Sequence, residues 1–524
     1  MEPQNPSRRF FSQAQTIAAV WLASLIVVTL CYYDTNITFL RAESGWYQFV
    51  SHGEPLPHYG MLRQFFTNSS HGHYVPFAFY TEFELTYLIG PRETFWKWRQ
   101  LGAVSILATC FFFLAYTVAR IHQIQTWVAV AYAGGISALF IFQPLMRELI
   151  AWPFLVLQLA AAAVSTLALY ALVQWMKEPT RRKWIWLAAT FSYLSMHFVG
   201  YGFATVLATA AVLGACLAGI YSGQLKEFFP VRRTLLIALI TMLLFAGLHC
   251  ACMEFLRAAP SLRSSAPPLD ILSVLVFYVS FFLSSIRALI FFSVDNQLSD
   301  SLWPWGLLLL TLAASSLILL ARSCLRRPTT QRLSQFALHC FSIVAFCGFV
   351  LMILARYLTE PDSSGFHNFL LGSRYLVPAN LLLFGIFAAI TVKIARRPGF
   401  GVFLFIALGL TALIASKQFA ATDYKRVFPG GAISYGKSWR AIVSLSQECR
   451  AANLPVPNVP MGALTCEFSD WDLKLYEPLL RSSLHLTPKQ KIEFEAWQKV
   501  RGPELKKYEA VAPSLTRVIS ILKL

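Results

Sequence analysis

Uninterrupted apolar runs of about 18 residues or more recur from residue 16 to residue 417. An apolar helix of about 20 residues spans the roughly 30 Å hydrocarbon core of a bilayer. In that core the backbone must satisfy its own hydrogen bonds. The sequence therefore predicts an all-α polytopic membrane protein. Composition agrees: 56% of residues are hydrophobic and 13% are charged, against about 25% charged in soluble domains.

The formal net charge of +18 invites a nucleic-acid partner, but the placement of the charges argues against one. Basic residues cluster in short links between apolar runs: Arg8 and Arg9, Lys177 to Lys183, Lys226 to Arg233, Arg322 to Arg332, and Lys393 to Arg397. That is the positive-inside pattern, which sets orientation, and no nucleic-acid motif accompanies it. The first span, about 16–33, is longer than a signal-peptide core and has no A-x-A cleavage site, so it reads as a retained helix.

With a cytoplasmic N-terminus, the first span leads to an external segment, 34–98, rich in Trp, Tyr, His and acids. Runs 100–119, 125–143 and 149–176 follow. The stretch 184–222 is too long for one helix, and Gly200 and Gly202 mark a turn within it. Runs 234–254 and 302–321 are read as spans, and 271–292, which carries Arg287, as an external interfacial or re-entrant helix that keeps the basic link 322–332 cytoplasmic. Runs 335–355, 375–393 and 400–416 complete about eleven crossings. Residues 1–417 then form the membrane module and 418–524 a small external C-terminal domain. Cys449 and Cys466 lie in that polar tail, where an extracytoplasmic location permits a disulfide between them.

"FQPLMRELIAW", 142–152, sets Arg147 and Glu148 between apolar stretches, although a charge at membrane depth costs about 2.5–3.5 kcal/mol. Nearly every such residue falls on the external side: Asp34 and Glu43 early, Arg147–Glu148, then His197, then Arg374–Tyr375. Their convergence on one face of a bundle suggests a site. Each also has a plainer reading, as a solvated helix end, a snorkelling pair, a core histidine or a headgroup contact. His71 and His73 in "HGHY" lack a third ligand, so they make a weak metal site. Asn36 and Asn68 begin N-glycosylation sequons facing the same side.

In order, these segments resemble a GT-C-type membrane glycosyltransferase, specifically the branch of the endoplasmic-reticulum O-mannosyltransferases and their bacterial relatives. "HGHYVPF" resembles that branch's G-H-[FY]-x-P-L element, with His73 among the substrate-contacting positions. "FQPLMRELIAW" is similar to H-P-x-x-x-E-A-V-A-W and keeps Pro144, Glu148 and Trp152 in register. "YLSMHFVGY" resembles L-S-K-E, and "GSRYLVPAN" resembles R-Y-L-x-x-P. The elements cover roughly 16–395, and the tail does not resemble tetratricopeptide repeats.

The resemblance implies a polyprenyl-phosphate-linked sugar donor, an extracytoplasmic acceptor (glycan, lipid or protein) and inversion at the sugar. Asp34 would be the base, and Arg374 and Arg147 would neutralise the departing phosphate. Glu148 would orient Arg147 or a sugar hydroxyl, and Glu43, His73 and His197 would meet substrate. Trp46, Trp152 and Tyr375 would stack on sugar or hold lipid. The chain departs from the pattern where relatives carry a second acid after the first span. Here "YYDTNITF" has Asp34 alone, Gln143 replaces a histidine, and Met196–His197 replace K-E. No cofactor is called for, and a divalent metal stays open. The competing readings are a non-catalytic scaffold and a transporter or flippase, the latter disfavoured because no repeat is visible and the charges avoid the midplane. A bacterial inner membrane is the expected location.

Overall fold

The computed structural model describes residues 6–35, 66, 75–89, 93–198, 202–255, 278–286, 289, 328–359 and 373–422, with isolated helical positions at 311, 315, 318, 319, 321, 448 and 451. Among these residues there are helices and turns and no strand. Glu43, Trp46, His73, Cys449, Cys466 and the C-terminal domain expected over 418–524 lie outside the described residues, save the helix end to Thr422 and two isolated positions.

The helices are α1 (Pro6–Tyr32), α2 (Pro76–Ile89), α3 (Glu93–Ile121), α4 (Thr126–Ile141), α5 (Met146–Ala151), α6 (Val156–Lys177), α7 (Arg182–Ser195) and α8 (Gly202–Tyr221). They continue with α9 (Arg232–Phe255), α10 (Thr330–Thr359), α11 (Ser373–Leu382), α12 (Phe384–Ala395) and α13 (Pro398–Thr422). Seven stretches are long and apolar enough to cross a bilayer, and α11 with α12 makes an eighth if their 46° bend is one broken span. The eleven expected crossings are thus not all found among the described residues. The expected span 125–143 is the 16-residue α4, about 24 Å long at 1.5 Å per residue. The first half of 184–222 is the 14-residue α7. Pro144 stops the former, because it lacks an N–H and disfavours helix in the residue before it.

The surface explains why these helices belong in lipid. α1 exposes Ile17, Leu22, Ile26 and Leu30; α9 exposes Ile237, Ile240, Leu244 and Leu248; α13 exposes Phe403, Ile406, Leu410 and Ile414. Helices of this length that are apolar on both the packed and the outward face have the character of membrane spans. This is an integral membrane protein.

Inside, aromatic rings pin the helices together. Phe111 on α3 stacks on Phe384 of α12 at 4.0 Å, and Phe140 of α4 meets both Phe384 and Phe387 edge-on. Gly135 lets α13 approach α4, since a Cβ there would fall 2.1 Å from the Phe405 carbonyl oxygen. The expected turn near Gly202 is tied by Ser195, whose hydroxyl donates to the Gly202 carbonyl at 3.0 Å. Of the stretch read as interfacial, residues 278–286 pack on α10: Tyr278 donates to the Cys347 carbonyl at 3.1 Å and Phe281 contacts Phe346 and Phe349.

Cross-helix contacts define two ends. At one, Arg396 after α12 reaches His122 after α3 at 3.1 Å, and Gln331 of α10 donates to the Ile121 carbonyl. Burial, then Arg396 and Lys393, push the His122 imidazole down to about 4, so near neutral pH it is uncharged and its Nδ1 can accept from Arg396. The other end gathers Asp34, Arg147 and Ser416 from α1, α5 and α13.

Candidate functional site

Between α4 and α6 the chain abandons regular helix from Phe142 to Leu155, keeping only the single turn α5 and a 3₁₀ turn at Pro153–Leu155. This stretch is buried throughout. Irregular backbone at such depth survives only where neighbouring groups satisfy it, and here polar side chains do so. Gln100 of α3 donates through Nε2 to the Leu149 carbonyl at 2.8 Å and the Trp152 carbonyl at 3.2 Å. The Tyr32 hydroxyl lies 2.8 Å from the Ile141 carbonyl and 2.9 Å from that of Gln143. Gln143 donates to the Phe140 carbonyl and accepts from Asn380 of α11 at 2.9 Å.

Arg147 projects from this stretch into the junction of three elements. Its Nη1 donates to Asp34 Oδ1 and to Thr35 Oγ1, both at 2.9 Å. Its Nη2 donates to the Cys31 carbonyl at 2.9 Å and the Ser416 carbonyl at 3.2 Å. The guanidinium also lies 5.4 Å from the centre of the Tyr32 ring. The side chain is 3% exposed, whereas that of Asp34 is 49% exposed. Asp34 therefore gives one oxygen to a buried cation and keeps the other without a protein partner among the described residues. The Cys31 carbonyl lies in the last turn of α1, where a helix leaves acceptors unsatisfied, whereas Ser416 lies six residues before the end of α13. Glu148 is not among its partners.

A second ion pair lies nearby, and sequence reading missed it. Glu82 of α2 accepts from Arg99 Nη1 through both oxygens, at 2.7 and 2.8 Å. Arg99 also donates through Nη2 to the Pro153 carbonyl and sits 4.4 Å from the centre of the Trp96 ring. Burial pushes the Glu82 carboxyl up, against the opposing pull of Arg99. Lys97 is 4.9 Å from the centre of the ring of Tyr33, the residue before Asp34.

No family model, curated protein or solved structure matches this chain. Its site is read from its own geometry.

The structure joins Asp34 to Arg147 across 113 positions. His197 goes elsewhere, into an aromatic cluster with Tyr193 at 4.8 Å, His249 at 5.0 Å and Phe77 of α2 at 6.5 Å. Trp152, expected to stack on sugar or hold lipid, is 2% exposed and packs against Phe154. Burial removes it from the surface where a sugar could lie. Glu148 is buried as well, while Tyr375 is partly buried against the core. Arg374 lies in the first turn of α11, with its side chain outside what the structure describes. Among the described residues no three His, Cys, Asp or Glu side chains stand close enough to hold a metal ion.

Gln100, Asn380, Glu82 and Arg99 were legible only as polar residues beside apolar runs. A search for amides in "KWRQLG" and "YLVPAN" would have flagged the first two.

Proposed function

We propose that the chain is a membrane glycosyltransferase that moves a sugar from a polyprenyl-phosphate donor to an extracytoplasmic acceptor, with Asp34 as the base. The observation that carries this reading is the asymmetric pair, a half-exposed carboxylate fixed by a buried arginine at one end of the bundle. Asp34 takes the proton of the acceptor hydroxyl. The acceptor oxygen bonds to the anomeric carbon, the carbon–oxygen bond to phosphate breaks on the opposite face, and polyprenyl phosphate leaves with the electron pair.

Arg147 changes role in this account. Its two terminal nitrogens are committed to four oxygens, so it positions Asp34. Charge on the departing phosphate falls to Arg374, by the resemblance, and to Lys97, by its place beside Tyr33. A permanently charged fork suits Arg374 to that task. The positive links at the opposite end support a cytoplasmic N-terminus and a site facing the periplasm of a bacterial inner membrane.

A specific observation also favours a second reading. Arg147 ties α1, α5 and α13 together at Asp34, which a non-catalytic scaffold for envelope glycan assembly would need equally. Purified protein in lipid, supplied with a panel of radiolabelled polyprenyl-phosphate sugars and acceptor extract, separates the two. Sugar release by the wild type and its loss in Asp34→Asn supports the transferase. Binding without turnover in both proteins supports the scaffold.

A further inference from the structure

α1, α3, α4 and α13 do not close on one another along their full length. They leave a groove of about 620 Å³, within the roughly 300–1,000 Å³ of ligand pockets. Its walls are made by small residues, Ala23 on α1, Gly134 and Ala138 on α4 and Gly409 on α13, and Phe142 stands towards the Asp34 end. A helix is about 10–12 Å across, so even about 12 Å of one would overfill this volume. A single hydrocarbon chain fits it.

We propose that this groove holds an acyl chain of an anionic bilayer phospholipid, with the headgroup phosphate at Lys417. Two observations select that occupant. The groove opens on the lipid-facing side of the bundle, because the apolar windows of α1 and α13 are only 11% and 22% buried. Leu413 and Phe405, which mark its extent on α13, lie about 6 and 18 Å below Lys417 at 1.5 Å per residue. That depth matches a chain hanging from a headgroup through one leaflet of about 15 Å. Lys417 is exposed one turn beyond Leu413, which lines the groove on α13, so a cation stands at the groove's Asp34 end. A single acyl chain fits that depth within one leaflet, whereas a long polyprenyl chain would outrun it. The inference stands whether or not the chain transfers sugar.

The test uses the full-length protein, extracted in mild detergent, exchanged into nanodiscs of phosphatidylglycerol in phosphatidylcholine, and read by native mass spectrometry with lipid extraction. The wild type is expected to retain one phosphatidylglycerol through detergent washing. Gly134→Leu fills the groove without moving backbone, since a Cβ there meets nothing within 4 Å, and is expected to lower retention about tenfold. Ala23→Phe plugs the groove from the opposite wall and gives a second reading where Gly134→Leu folds poorly by circular dichroism. Lys417→Gln is expected to lower the preference for phosphatidylglycerol over phosphatidylcholine about fivefold. Undiminished retention in both folded plug variants overturns the proposal. So does a retained mass equal to a polyprenyl phosphate, or a dimer that the plug variants dissociate.

Discussion

The two ion pairs at the Asp34 end are built from the same chemistry and differ in what they leave open. Glu82 and Arg99 lie 17 positions apart, and both carboxylate oxygens are engaged, with side-chain exposures of 7% and 15%. Asp34 and Arg147 come from elements 113 positions apart, and among the described residues only one carboxylate oxygen is engaged. The first pair is closed on both sides. The second is buried on the cation side and open on the acid side. Burying both partners incurs desolvation that mutual attraction only partly offsets, as the upward shift of the Glu82 carboxyl shows. Leaving the acid open keeps an oxygen available to substrate while the arginine fixes its position.

Turnover is where the pairs should differ most. In the proposed transferase, Asp34→Asn keeps an acceptor for Arg147 but loses the base, so turnover should fall by about 10²–10⁴ with thermal unfolding nearly unchanged. Glu82→Gln in the same assay should stay within a few-fold of wild type. Equal losses in the two variants would erase the distinction between an open, working acid and a closed, structural one.

Stability should reverse the order. Glu82→Ala strands Arg99 in an apolar setting and should destabilise the fold by about 3–5 kcal/mol, read by thermal unfolding in detergent. Adding Arg99→Met to that variant should recover part of the loss, because no unpaired charge then remains. Arg147→Met acts differently. It releases Asp34 to water but leaves the buried Cys31 carbonyl without its donor, a loss of about 1–3 kcal/mol. Its turnover should fall because Asp34 is no longer held. Arg147→Lys, with a single point of charge in place of a fork, should restore only part of both.

How much of this was readable beforehand depended on contrast. Arg147 and Asp34 stood out because charge beside an apolar run is costly, but a linear scan cannot pair residues from α1 and α5. Glu82 and Arg99 were missed for the opposite reason, since Glu82 lies in, and Arg99 directly follows, a segment, 34–98, already rich in acids and aromatics. Gln100 and Asn380 carry no charge, so hydropathy barely registers them, yet they cap the buried irregular stretch. Span positions from α3 to α13 followed the apolar runs closely. Span lengths did not, because Pro144 shortens α4, and the α11–α12 break at Leu383, where its N–H turns to the Asn380 carbonyl, has no apolar interruption to announce it.

The smallest expected effect is one of pH, and it again separates the pairs. The Glu82 carboxyl is raised by burial, so the folded chain holds its proton to higher pH than the unfolded chain does. Its contribution to stability is therefore fully present below the unfolded value and is lost as pH rises through the folded one. Glu82→Gln supplies a permanently neutral side chain of the same shape. Near neutral pH the substitution removes a hydrogen-bonded charge partner of Arg99 and should cost stability. As pH falls towards the carboxyl's raised value, wild-type Glu82 takes up a proton and also becomes neutral. The wild type therefore gains stability on the pH-independent Gln variant as pH is lowered through that range, and the difference in thermal unfolding between the two should grow in its favour. A difference that stays constant would mean that burial does not raise the folded carboxyl above its unfolded value, so that Arg99 offsets burial. The closed pair would then be stabilising in its own right, and the contrast with Asp34 would rest on exposure alone.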